Sequence, residues 1–230
     1  MLMENEKDDI IRLILGLSNH DDRISTLQLA LSQARRCIGY DSKKECNMVN
    51  FTFRNTQIDN EDGQLTVNCI DDNRKNADEC DCFNALTLYL IALDQLGHIF
   101  APRQKSVKVG EILKKSGVEE FRDDKVQTAI ENLRNSLCHN FGLANNRSPY
   151  NKFTLSYNNE NAIVTLPHKE WDGIWSDKSK ETQTIVNVFP LCNAIEKVIK
   201  SIVEKYENGE LSCVIDDVEE LKTRFTLIIG

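Results

Sequence analysis

The sequence predicts a mainly α-helical bundle of five to six helices with two inserted β-hairpins. Three observations support it. Several segments repeat their apolar residues at spacings of three and four, as one face of a helix requires. Two pairs of alternating, β-rich segments are separated by turn-forming residues. There is no βαβ alternation, internal repeat or Gly-rich phosphate loop. At 230 residues, with 40% hydrophobic and 28% charged, the chain suffices for one substantial core, and residues 1–230 read as a single domain.

The N-terminal stretch MLMENEKDD has no basic segment ahead of an apolar run, and nothing reaches about 18 consecutive apolar residues. A cytoplasmic chain without a membrane span is expected. Ile10–Leu17 reads as a short helix broken at Gly16. The acidic pair Asp21-Asp22 is placed to cap a helix from Asp22 to Cys37, where Ile24, Leu27, Leu31, Ala34 and Ile38 form one stripe. Val49–Phe53 and Gln64–Asn68 alternate around the turn Asn60–Gly63, a first hairpin over about 48–69. Its Asp- and Asn-rich edges lack metal-loop spacing.

Asp81–Phe100 is apolar nearly all round its helix and therefore central. His98 lies near its C-terminus, where the helix dipole favours a cation, so a structural role is expected for it. After Pro102, a short helix over Val109–Ser116 stops at Gly117. A further helix spans Phe121–Leu143, with Gly142 as C-cap. Lys152–Tyr157 and Ala162–Leu166, joined by Asn158–Asn161, read as the second hairpin, at about 151–167. Trp171 and Trp175 bracket a small hydrophobic clamp that packs this hairpin onto the bundle. Ile185, Val188, Cys192, Ile195, Ile199, Ile202 and Tyr206 mark a long helix that Pro190 starts or kinks, and Asp216-Asp217 open a last short one.

The Phe121–Leu143 helix has two faces. At about 100° per residue, Val126, Ile130, Leu133 and Leu137 cluster in one arc, whereas Glu131, Asn135 and His139 fall opposite and Arg134 lies between. The wheel thus points a polar set outward. From Asn132 to Asn159 there is no Asp or Glu, while Arg134, Arg147 and Lys152 are positive, although the chain as a whole carries −8 and is no general nucleic-acid coat. The eight cysteines contain no C-x-x-C pair and the four His no H-x3-5-H partner, so reduced thiols and no zinc site are expected. The sequons at Asn50 and Asn146 read as chance matches.

Leu133-Arg134-Asn135-Ser136-Leu137-Cys138-His139 resembles the R-x4-6-H signature of the HEPN superfamily, in which a polar residue commonly follows the Arg. The resemblance covers this helix and, more loosely, the long helices before and after it, but neither hairpin nor the N-terminal region. It implies a helical bundle and a metal-independent endoribonuclease of the kind found in toxin–antitoxin, CRISPR and phage-defence systems. It also implies a homodimer across this helix face and no cofactor, with an antitoxin or other protein as a further partner.

Metal-free RNA cleavage needs a group that takes the 2′-OH proton, one that protonates the leaving 5′-oxygen, and a cation for the phosphorane charge. In that reading His139 serves as base or acid, Arg134 clamps the phosphate with its planar fork, and Asn135 orients substrate or imidazole. Arg147 and Lys152 contact RNA. One His per chain is too few for separate acid and base, which the resemblance answers with two copies of His139 in one composite cleft. Two rivals stand beside it. One is a non-catalytic nucleotide- or protein-binding module; the other is a structural bundle in which Arg134 pairs with Glu131 or Asp124.

Overall fold

The structure, a computed structural model, describes residues 2–38, 40–41, 46–47, 56–61, 64–69, 75–104, 108–140, 142–145, 150–157 and 162–229. Among them are seven α-helices: α1 (Leu2–Leu15), α2 (Thr26–Ile38), α3 (Lys75–Phe100), α4 (Lys108–Ser116), α5 (Asp124–Asn140), α6 (Val188–Glu207) and α7 (Val218–Phe225). The strands are short: β1 (Arg23–Ser25), β2 (Tyr40–Asp41), β3 (Cys46–Asn47), β4 (Thr56–Glu61), β5 (Gln64–Cys69), β6 (Ala144–Asn145), β7 (Asn151–Ser156), β8 (Val164–Thr165), β9 (Gln183–Asn187) and β10 (Thr226–Ile228). The fold is mainly α. No described helix is long and apolar enough to cross a membrane.

The central helix is α3, which packs against α2, α4, α5 and α6. Leu86, Tyr89, Leu90, Leu93, Leu96 and Ile99 are all fully buried, which the near-uniform apolar composition of this segment requires. Gly97 permits one close approach. A Cβ there would lie 2.6 Å from the backbone oxygen of Lys108, at the start of α4. Gly97→Ala is therefore expected to push α4 off α3 and to cost about 1–3 kcal/mol, the usual range for overpacking. A thermal unfolding midpoint equal to wild type would contradict this contact.

Several boundaries shift from expectation for local reasons. Helix α1 starts well before Ile10 and buries Ile10, Ile11 and Ile14. It ends where Gly16 takes φ 78°, letting the Leu17 N–H donate to the Arg12 carbonyl at 2.8 Å. Asp21-Asp22 do not cap α2. Residues 23–25 instead form β1, antiparallel to β10 with Ser25 opposite Thr226, and Ser25 Oγ accepts from the Gln28 N–H at 3.1 Å. In α6, Pro190 sits in the first turn, where its missing N–H has no helical partner to lose. Ile185 belongs to β9 rather than to that helix.

The expected hairpins fare differently. β4 and β5 pair antiparallel, Glu61 opposite Gln64, whereas Val49–Phe53 lies outside the described residues. The expected second hairpin is not formed. β7 runs parallel to β9, and β8 pairs with the other side of β9, giving the order β6-β7-β9-β8. The reason is burial: Thr184, Val186 and Asn187 are at most 1% exposed, so β9 takes the interior position that a direct β7–β8 pairing would deny it. Asn187 secures the arrangement, its N–H donating to the Ile163 carbonyl at 3.0 Å and its Nδ2 to the Ala162 carbonyl at 2.6 Å. The connection from β7 to β9 carries the tryptophans. Trp171 is buried and donates from Nε1 to the Ile174 carbonyl, while Trp175 lies edge-on to it with ring centroids 5.2 Å apart and remains 70% exposed, so only one of the pair is buried.

Candidate functional site

Two helices build the site. α5 supplies Arg134, Asn135 and His139, and the last turns of α3 supply Asp94 and His98, four residues apart on one face. The ends of α3 and α5 meet because Ile130, Leu133 and Leu137 bury one stripe of α5 in the common core.

The guanidinium of Arg134 is the hub. Its Nη2 donates to Asp94 Oδ2 in a short ion pair, both side chains being more than four-fifths buried, with 16% and 19% exposed. From Nη1 it reaches Asn135 Oδ1 at 2.8 Å and His139 Nε2 at 3.2 Å. A guanidinium can only donate, so in this contact Nε2 of His139 is the acceptor and the ring proton sits on Nδ1. Nε of Arg134 is buried and makes no hydrogen bond within the described residues. His139 itself is exposed, while Asn135 is half-buried.

His98 closes the cluster from the other side, with Nε2 3.7 Å from Asp94 Oδ2. Burial holds its imidazole below the ordinary histidine value; Asp94 works against that shift, and Arg224, Lys108 and Arg134 reinforce it. Behind the cluster, Glu131 is buried against the start of α4, where Oε2 accepts the N–H groups of Val109 at 3.0 Å and Gly110 at 3.2 Å. Burial pushes its carboxyl above the usual range, although those two donors and Arg134 oppose the shift. Burial likewise raises the Cys138 thiol, which argues against a reactive thiolate there.

The outward polar face is thus narrower than the helical wheel implies. Glu131 is covered by α4 and Asn132 by β7, the latter donating to Asn151 Oδ1 at 2.6 Å. Of the wheel's outward set, His139 alone is exposed. Arg134 pairs with neither Glu131 nor Asp124; Asp124 instead faces Lys114 at 3.1 Å.

The window without acids from 132 to 159 is filled in space by carboxylates from elsewhere. Asp94 enters beside Arg134. Asp177 lies beside Lys152, whose Nζ donates to the Asp177 carbonyl at 2.7 Å, stands 3.6 Å from its Oδ2 and is 5.7 Å from the Trp171 ring centroid. Lys152 is therefore already engaged, and Arg147 lies outside the described residues. The structure brings together Arg134, Asn135 and His139 of the expected site residues and adds Asp94 and His98. The signal that could have found the additions is an Asp–His pair at i,i+4 within an otherwise apolar helix.

Among the described residues, no three His, Cys, Asp or Glu side chains gather as metal ligands would. The arrangement can hold an anion on Arg134 and move a proton at either imidazole, provided the anion displaces Asp94 or His139 from the guanidinium. Comparison with known proteins adds no relative: no family model, curated protein or solved structure matches this chain.

Proposed function

We propose that the protein is a metal-independent endoribonuclease of HEPN type, a defence or toxin component acting as a homodimer on single-stranded RNA. The observation that supports this reading best is the contact between Arg134 Nη1 and His139 Nε2 at 3.2 Å. It sets a fixed cation beside an imidazole, two of the three groups that in-line transesterification at a phosphodiester requires. A bound phosphate draws the guanidinium onto its non-bridging oxygens and frees Nε2 for proton transfer. Asn135, hydrogen-bonded to the same Nη1, steadies the fork. Pairing across α5 would bring two such clusters to one cleft, and an antitoxin partner would act by covering His139.

A second reading, a non-catalytic module that holds a nucleotide or a protein, draws on a different observation: Asp94 already occupies Arg134, and the chain carries −8 overall. One experiment separates them. Purified protein is incubated with single-stranded RNA in EDTA, alongside His139→Ala. The nuclease reading expects cleavage that the variant loses; thermal stabilisation by nucleotides without any cleavage selects the binding module.

A further inference from the structure

The cluster contains two imidazoles from one chain. His98 and His139 flank a single ion pair: His98 Nε2 lies 3.7 Å from the Asp94 oxygen that receives Arg134, and Arg134 Nη1 lies 3.2 Å from His139 Nε2. Neither ring is sealed off, the His98 side chain being 37% exposed and His139 exposed. A phosphodiester that takes the place of Asp94 on Arg134 therefore comes within reach of both rings, one for the nucleophile and one for the leaving group.

We infer that His98 is a further catalytic residue, the general base of RNA cleavage, paired with His139 of the same chain as general acid. This rests on the ribonuclease reading but removes its need for the imidazole of a second copy. In the reaction His98 takes the proton from the 2′-OH and the 2′-oxygen bonds to phosphorus. The P–O5′ bond breaks, its electron pair stays on O5′, and His139, which takes up a proton at Nε2 once the phosphate has drawn Arg134 away, delivers that proton there. The products are a 2′,3′-cyclic phosphate and a 5′-hydroxyl, with no oxidant or water consumed. Asp94 is the positioning residue: it holds Arg134 in the absence of RNA and lies beside the His98 ring.

The charges that face His98 fit a base. Burial, together with Arg224 of α7, Lys108 of α4 and Arg134 of α5, outweighs Asp94 of α3, so the ring is neutral at neutral pH. Activity then falls on the acid side, where His98 becomes protonated and can no longer accept.

The test measures single-turnover cleavage of one single-stranded RNA across pH by wild type, His98→Asn, His98→Gln and His139→Asn, with circular dichroism to confirm folding. Each variant is expected to lose about 10²–10⁴-fold, the usual contribution of one acid or base, and the residual activity of the His98 variants to lose the acid limb. Mixing the folded His98→Asn and His139→Asn proteins is expected to restore nothing, because acid and base belong to one chain. His98 variants that cut at more than half the wild-type rate with an unchanged pH profile overturn the assignment. Recovery on mixing also overturns it, by placing the pair across two chains. In both cases wild type still cuts, so the ribonuclease reading survives; wild type that cuts nothing removes both. As a measurement independent of turnover, titration with uridine 3′-monophosphate is expected to move the proton NMR signals of both rings, and a shift at His139 alone counts against His98.

Discussion

Arg134→Ala is expected to lower the proposed RNA cleavage by about 10²–10³-fold, the range seen when one preorganised donor to developing charge is removed. The same change strands Asp94, more than four-fifths buried, without its cation. Arg134→Lys separates the two consequences. An ammonium keeps the charge beside Asp94 and so recovers stability, but it lacks the planar fork that can serve a phosphate and a neighbouring imidazole together. The lysine variant is thus expected to fold like wild type and still to cleave poorly. Equal cleavage by the alanine variant would remove Arg134 from the chemistry.

The largest effect on stability is expected far from that cluster, at Glu196. This residue is 7% exposed, and its carboxylate accepts Arg35 Nε at 2.7 Å, Arg35 Nη2 at 2.8 Å and the Tyr89 hydroxyl at 2.7 Å. The three side chains come from α6, α2 and α3, so one carboxylate ties three helices together. Burial and the adjacent carboxylate push the Tyr89 hydroxyl well above its ordinary value, which keeps it a donor throughout the accessible pH range. Glu196→Ala leaves that buried hydroxyl without an acceptor and Arg35 without its counter-charge. The expected loss is about 3 kcal/mol, the low end for a broken buried pair because Arg35 is partly exposed and rehydrates. For a chain of this size that is a fall in Tm of about 6–12 °C. Glu196→Gln, which retains an acceptor for Tyr89, is expected to lose less. A Tm for the alanine variant within about 2 °C of wild type would show that the bridge does not tie the bundle.

Helices were legible where burial is one-sided or complete. The 3-4 stripe of α2 and the nearly uniform apolar run of α3 each have one way to hide their surface, and both form and end at or beside the expected residue, although α2 starts at Thr26 rather than Asp22 and α3 at Lys75 rather than Asp81. Strand pairing was not legible in the same way. The alternation in residues 152–157 marks a strand correctly, but alternation says nothing about which neighbour it takes, and the partner proved to be Gln183–Asn187, some thirty residues on. Ile185 of that partner strand also fits the apolar repeat of α6, which hides its membership of β9. β1 and β10, at opposite ends of the chain, are three residues each, too short for any periodic signal.

The candidate site divides along the same line. Arg134, Asn135 and His139 lie within one helix, so local spacing could group them. Asp94 and His98 reach the cluster only through the packing of α3 on α5, a long-range contact that no local window contains. The wheel misjudged Glu131 for a related reason: it knows the axis of α5 but not that the start of α4 lies over that face with two free N–H groups to offer.

The central claim is that the Arg134–His139 cluster cleaves RNA by transesterification, and the most direct measurement is the product of wild-type protein acting on a defined single-stranded RNA in EDTA. The account predicts fragments ending in 2′,3′-cyclic phosphate and 5′-hydroxyl, with no cleavage of the same sequence made with 2′-deoxyribose. An intact RNA, or equal cutting of the deoxy strand, would contradict it.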